Sequence, residues 1–269
     1  MSTSTEVGGL SSGGRRDVAA LFGRGERTVT VDRAAAVLGV GSADAAKRLA
    51  ALASRGWLRR VRRGLYLSVP VDAPDPSAWT EDPWYLADLV WSPCYVTGWS
   101  AANHWSLTDQ VFRATVIATA QRVRRVEQEL AGSPYLVHHV VAAQFEWGLE
   151  VEWRHDRRIS VADPARTVAE MLVDPALGGG IRHTAEVLDT FLDGHDSAAL
   201  LDGLERIGSG AAFKRLGYLI ESMRLDLPTV IEACEGHVTA GYIDLDPSMP
   251  SRGARSTRWR LRANVEVGS

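Results

Sequence analysis

Residues 55–67 read Arg55-Gly56-Trp57-Leu58-Arg59-Arg60-Val61-Arg62-Arg63-Gly64-Leu65-Tyr66-Leu67, and this stretch decides how the N-terminal part of the chain folds. Trp57, Leu65 and Leu67 fit apolar strand positions, and Gly64 sits where a hairpin must turn. Arg59, Arg60, Arg62 and Arg63 then carry four guanidinium groups on one two-stranded ribbon. The planar fork of an arginine suits phosphate oxygens. Tyr66 reads as a packed aromatic, with a backbone contact to nucleic acid as its alternative.

The preceding residues predict three helices. A short helix over 15–22 ends at Gly23 and Gly25, and the β-branched stretch Thr28 to Val31 follows. A second helix covers 32–38 and stops at Gly39; Val40 and Gly41 make a tight turn into a third, running to about Ser54 with Ser42 as its N-cap. On the third helix Ala45, Leu49, Leu52 and Ala53 recur at helical spacing as a core face. Ser42, Ala43 and Asp44 in its first turn, with Lys47 and Arg48 further along, are left to approach base edges. Together with Arg55 and the ribbon arginines they are the candidate DNA-binding residues of a winged helix-turn-helix.

Charge divides along the same line. Residues 1–72 hold 12 Lys and Arg against 6 Asp and Glu, a net +6, whereas residues 73–269 hold 18 against 27, a net −9. A basic module on an acidic body suggests that the module meets a polyanion while the body has another task. The Ser, Thr and Gly of 1–14 read as a disordered tail, and Pro70, Pro74 and Pro76 mark a linker over 73–80 with the break near residue 75. The expected order is thus tail, winged helix-turn-helix over 15–72, linker, and a larger mixed α/β domain over 81–269, an α+β protein in all. In that second domain helices are expected near 83–90, 99–106, 164–172, 181–192, 197–207 and 211–224. Strands are expected near 114–119, 135–141, 150–154 and 158–161, with a last pair at 237–245 and 256–265.

Several function classes are disfavoured. Cys94 and Cys234 are too few for a disulfide framework or a cysteine zinc site, and no apolar run approaches the roughly 20 residues of a membrane span, so a cytoplasmic protein without membrane partner is expected. A metal nuclease needs paired carboxylates and usually a lysine. Lys47 and Lys214 are the only lysines, and Glu150 and Glu152 lead into Trp153 and Arg154 instead. Asp244 and Asp246 alternate on an expected strand, where an exposed sheet face is the plainer reading. His138 and His139 are adjacent on a strand and face opposite sides. His104 reads as a packing residue, Gly178-Gly179-Gly180 as a loop before a helix that lacks the fuller phosphate-loop pattern, and Arg166 as a partner for Asp163 or Glu170. Arg258, Arg260 and Arg262 are expected on one face of a strand. No catalytic residue, metal or cofactor is expected.

Three segments together resemble the AbiEi family, the antitoxin and transcriptional-repressor half of type IV toxin-antitoxin systems. They are Leu52-Ala53-Ser54-Arg55-Gly56-Trp57-Leu58 with Arg63-Gly64-Leu65-Tyr66; Tyr95-Val96-Thr97-Gly98-Trp99-Ser100-Ala101-Ala102 with His104 and Leu107-Thr108-Asp109-Gln110; and Asp163-Pro164-Ala165-Arg166-Thr167-Val168. Arg215-Leu216-Gly217-Tyr218-Leu219-Ile220-Glu221 extends the likeness toward the C-terminus, and Ala102-Asn103 departs from it. The resemblance implies a repressor that binds operator DNA and counters a nucleotidyltransferase toxin, with no stable complex between the two. The residues alone leave two alternatives: a regulator with a small-molecule sensor domain, and a metal-dependent DNA-processing enzyme.

Overall fold

A computed structural model of the protein describes residues 11–23, 25–70, 73, 75 and 79–267. Positions 1–10 of the expected tail and positions 74 and 76–78 of the expected linker lie outside the described residues. Positions 12–14 do not belong to a tail. They begin α1 (Ser12–Phe22), because the Ser11 hydroxyl accepts from the Gly14 amide at 3.2 Å and caps the helix. Two compact units divide the chain, one of residues 1–86 with 129–134 and the other of 87–128 with 135–269.

In the first unit α1 is followed by β1 (Thr28–Thr30), α2 (Val31–Leu38), α3 (Ser42–Ser54), β2 (Leu58–Arg62) and β3 (Leu65–Ser68). The Thr30 hydroxyl caps α2, and Gly39 ends it in the left-handed conformation at φ +64°, which a residue without Cβ adopts at little cost. The N-cap of α3 is Gly41; the expected Ser42 is the first helical residue and makes no cap bond. Ala45, Leu49 and Leu52 are buried with Leu21, Val29, Ala34, Leu58 and Tyr66 in one core. Gly64, at φ +80°, makes the turn between β2 and β3. The ribbon is wider than expected, since β1 adds antiparallel to β3 in the order β1-β3-β2. Tyr66 is a packed core aromatic, 6% exposed.

The break falls about ten residues later than Pro74 and its neighbours suggest. Glu81, 5% exposed, receives the Arg27 guanidinium, and that guanidinium also lies over the Tyr85 ring at 5.8 Å. Residues up to Leu86 therefore close with the first unit.

The next elements are α4 (Pro83–Trp91), β4 (Cys94–Val96), α5 (Gly98–His104), β5 (Thr115–Thr119), β6 (Glu127–Leu130), β7 (Ser133–His139), β8 (Leu149–Arg154) and β9 (Arg157–Ala162). Helices α6 (Pro164–Val173), α7 (Ile181–Gly194), α8 (Ser197–Ile207), α9 (Gly210–Ser222) and α10 (Pro228–Gly236) follow, then β10 (Ile243–Asp244), β11 (Ala254–Ser256) and β12 (Leu261–Ala263). Six strands form a mixed sheet ordered β6-β7-β5-β4-β9-β8. Its central strands β4 and β5 are buried throughout, as strands covered on both faces must be. The axis of the helical layer is α6, which packs on α5, α7, α8 and α9. Asp163 caps it, Pro164 opens its first turn, and Val168, Ala169, Met171 and Leu172 are buried.

The C-terminal segment departs most from the sequence reading. Residues 228–236 are helical, and the expected long strands shrink to pieces of two and three residues. Arg258 and Arg260 lie in the turn before β12, so they do not share a strand face with Arg262. Asp246 is buried at 3% exposure rather than displayed. Its carboxylate accepts from the Ile181 amide at 2.9 Å, at the N-terminus of α7 just after the triple glycine. The helix end is thus occupied by the chain's own carboxylate in place of a foreign anion. The protein as a whole is mixed α/β with several sheets.

Candidate nucleic-acid interface

The first turn of α3 exposes Ser42, Ala43 and Asp44, and Lys47 and Arg48 are exposed further along the same helix. The helix packs its opposite side through Ala45, Leu49 and Leu52, so burial and display are separated by sequence spacing alone. Lys47 pairs with Asp44 at 3.6 Å, and Arg48 with Asp17 of α1 at 3.3 Å. Such surface pairs contribute at most about 1 kcal/mol, and both cations can exchange them for phosphate or base acceptors.

Arg55 stands exposed at the C-cap of α3, and Gly56, at φ +82°, turns the chain into β2. The register of β2 against β3 shifts between Arg60 and Arg62. That bulge buries Val61 while Arg60 and Arg62 remain exposed, and Arg63 is exposed in the adjoining turn. Strict alternation would not have given this run of outward cations.

Arg59 differs from the other three. It is half-buried, and its Nη1 donates to the Ala131 carbonyl at 3.1 Å, in the segment 129–134 that belongs to the same unit. The structure therefore brings Arg55, Arg60, Arg62 and Arg63 onto one exposed stretch and sets Arg59 apart as a structural donor. Sequence reading missed Arg27 and its pairing with Glu81; no motif signals a contact between residues 54 apart.

Residues 16–69 match the model of a family described as transcriptional regulator, AbiEi antitoxin. The matched segment starts in α1, ends just past β3, and holds every candidate DNA-binding residue from Ser42 to Arg63. Among solved structures, the RV2827C protein from Mycobacterium tuberculosis is similar over 96% of this chain and 93% of its own, at 16% identity and a TM-score of 0.66. That likeness is one of fold. No curated protein matches the chain.

In the second unit several of the residues weighed for chemistry are occupied structurally. His104 Nε2 lies 3.3 Å from Glu152, and its ring packs on Trp105. Arg258 pairs with Glu221 and Glu235, and Arg262 with Asp244 at 3.6 Å. Burial pushes the Cys94 and Cys234 thiols up to about 12, so neither is a thiolate at neutral pH. Among the described residues no group of three or more His, Cys, Asp or Glu is placed to hold a metal ion, and no helix is long and apolar enough to cross a membrane.

Proposed function

We propose that the chain is a DNA-binding antitoxin and transcriptional autorepressor: its first unit is a winged helix-turn-helix that binds operator DNA, and its second unit counters a nucleotidyltransferase toxin. The observation that carries the reading is the exposed first turn of α3 together with the exposed Arg55, Arg60, Arg62 and Arg63, in a segment that matches a family of transcriptional regulators. In this reading α3 enters the major groove, its first turn meets base edges, and the β2–β3 wing lies along the phosphates. The second unit is not catalytic, the protein is cytoplasmic, and the toxin is opposed without a stable complex.

The test has two arms. Full-length protein with Arg60, Arg62 and Arg63 replaced by alanine is compared with the parent by gel shift on the DNA upstream of its own reading frame. Loss of binding by a folded variant is expected, and undiminished binding overturns the interface. Growth is then followed while the adjacent reading frame is co-expressed with and without this protein; no protection overturns the antitoxin role.

A further inference from the structure

The second unit carries an open cavity of about 310 Å³ that the DNA-binding reading does not use. Such a volume is at the lower end of small-molecule sites. Val173, Leu177 and Ile207 give it an apolar side, and Tyr95, Thr97, His138, Glu170 and Asp174 give it a polar one.

The polar side is rigidly built. Arg166, fully buried, donates Nε to Glu170 Oε1 at 2.8 Å and Nη2 to the Tyr95 hydroxyl at 2.7 Å. Its guanidinium lies between the Tyr95 and Trp147 rings, 4.3 and 4.4 Å from their centroids. The Tyr95 hydroxyl donates to Glu170 Oε1 at 2.7 Å, and Thr97 Oγ1 donates to Oε2. Oε1 therefore takes two donors and Oε2 one, which leaves Oε2 able to accept again. One turn on, Asp174 uses Oδ1 for the Ala176 amide at 3.1 Å.

On β7, His138 Nε2 is buried without a hydrogen-bond partner. Burial holds this imidazole below its ordinary value, although Asp174 and Glu170 both act to raise it. Arg166 pairs with Glu170, and Asp174 feels the charge of Arg215 from behind. Arg215, the other buried guanidinium nearby, gives its hydrogen bonds to the carbonyls of Leu172, Val173, Asp244 and Leu245. Both carboxylates line the cavity, and neither guanidinium does.

We propose that this cavity is a binding site for a small organic cation, an ammonium or amidinium group on a compact apolar body, with Glu170 and Asp174 meeting the charge and His138 Nε2 taking a hydrogen bond. An anion would face two carboxylates, and a wholly apolar molecule would leave the polar groups stripped of water and unpaired. The inference stands independently of DNA binding.

Titration calorimetry on the full-length protein, with benzylamine, benzamidine, benzamide and benzoate as probes of similar size, tests it. Benzylamine and benzamidine are expected to bind saturably at one site, benzamide about tenfold more weakly or worse, and benzoate not at all. D174N keeps the Ala176 cap and removes a charge, and H138F removes the orphan nitrogen. V141W blocks the rim at a residue that is 61% exposed. Each, with unchanged circular dichroism, is expected to weaken benzamidine about tenfold or more. Equal binding of benzamide, undiminished binding by all three folded variants, or no binding of either cation at millimolar concentration overturns the proposal.

Discussion

At the scale of single residues, the arginines of the first unit separate into two kinds. Arg60, Arg62 and Arg63 are exposed, so each replacement by alanine is expected to weaken binding to all DNA sequences alike. For every phosphate left without its arginine, the slope of log affinity against log salt should fall by about 0.9, read from gel shifts at several salt concentrations. Arg59 is expected to behave differently, because its bond to Ala131 is part of the fold. R59A should lower thermal stability by about 1 kcal/mol or more as well as affinity. On α3, replacing Lys47 or Arg48 should cost about 1–3 kcal/mol on the preferred site if that side chain makes a bidentate base contact. An unchanged ratio of specific to random-DNA affinity would remove both from the reading surface. In the second unit, R166A leaves Glu170 without its guanidinium and is expected to destabilise by about 3–5 kcal/mol in urea unfolding.

At the scale of elements, the helices of the first unit were legible because their signals are local. Gly39 and Gly41 bracket a turn, and Ala45, Leu49 and Leu52 repeat at helical spacing. The hairpin was legible from Gly64. The third strand β1 was not, because it pairs with a segment distant in sequence, and the bulge that frees Arg60 and Arg62 was not, because a register shift inside a hairpin leaves no signature in residue spacing. The buried pair of Arg166 and Glu170 was foreseeable, being four residues apart on one helix. Its extension to Tyr95 and Thr97, and the cavity above it, required the sheet. The C-terminal strands failed for a related reason: alternating Arg residues mimic a strand, whereas Arg258 is held in a turn by Glu221 and Glu235. Asp246 joins two elements far apart in sequence, and it carries a pH signature. Burial acts to raise its carboxyl, but the Ser248 hydroxyl, the Ile181 and Ser248 amides and Arg215 outweigh it and hold it below the ordinary 3.8. A depressed value in the folded state means that the stabilisation is complete above about pH 4 and is lost as the pH falls through the folded value. D246N should therefore flatten the acid limb of the stability curve, measured by thermal unfolding between neutral and acid pH. An unchanged acid limb would show that another group governs it.

At the scale of the whole molecule, the net +6 of the first 72 residues narrows to +2 over the first compact unit, because Asp75, Glu81, Asp82 and Glu129 belong to it, and the second unit carries −5; the basic character is thus concentrated in residues 1–72 rather than spread over the unit. Where the two units divide bears on any truncation. A fragment ending at Pro74 lacks Glu81, so Arg27 would lose its partner; residues 11–86 should bind operator DNA with a higher melting temperature than 11–74, measured by gel shift and scanning calorimetry. Equal melting temperatures would place the functional boundary back near residue 75. Toxin neutralisation is expected to survive alanine replacement of Arg60, Arg62 and Arg63 at matched protein levels. If rescue of growth disappears together with DNA binding, neutralisation is repression alone. The cap on α7 has a last consequence, for the order in which a growing polypeptide becomes a protein. Ile181 waits for a carboxylate 65 positions further along, so a ribosome must add that whole stretch before the helix end is satisfied. Premature termination after residue 240 would release a product with the first unit's residues all present and the second left open at α7, a candidate for rapid clearance by proteases.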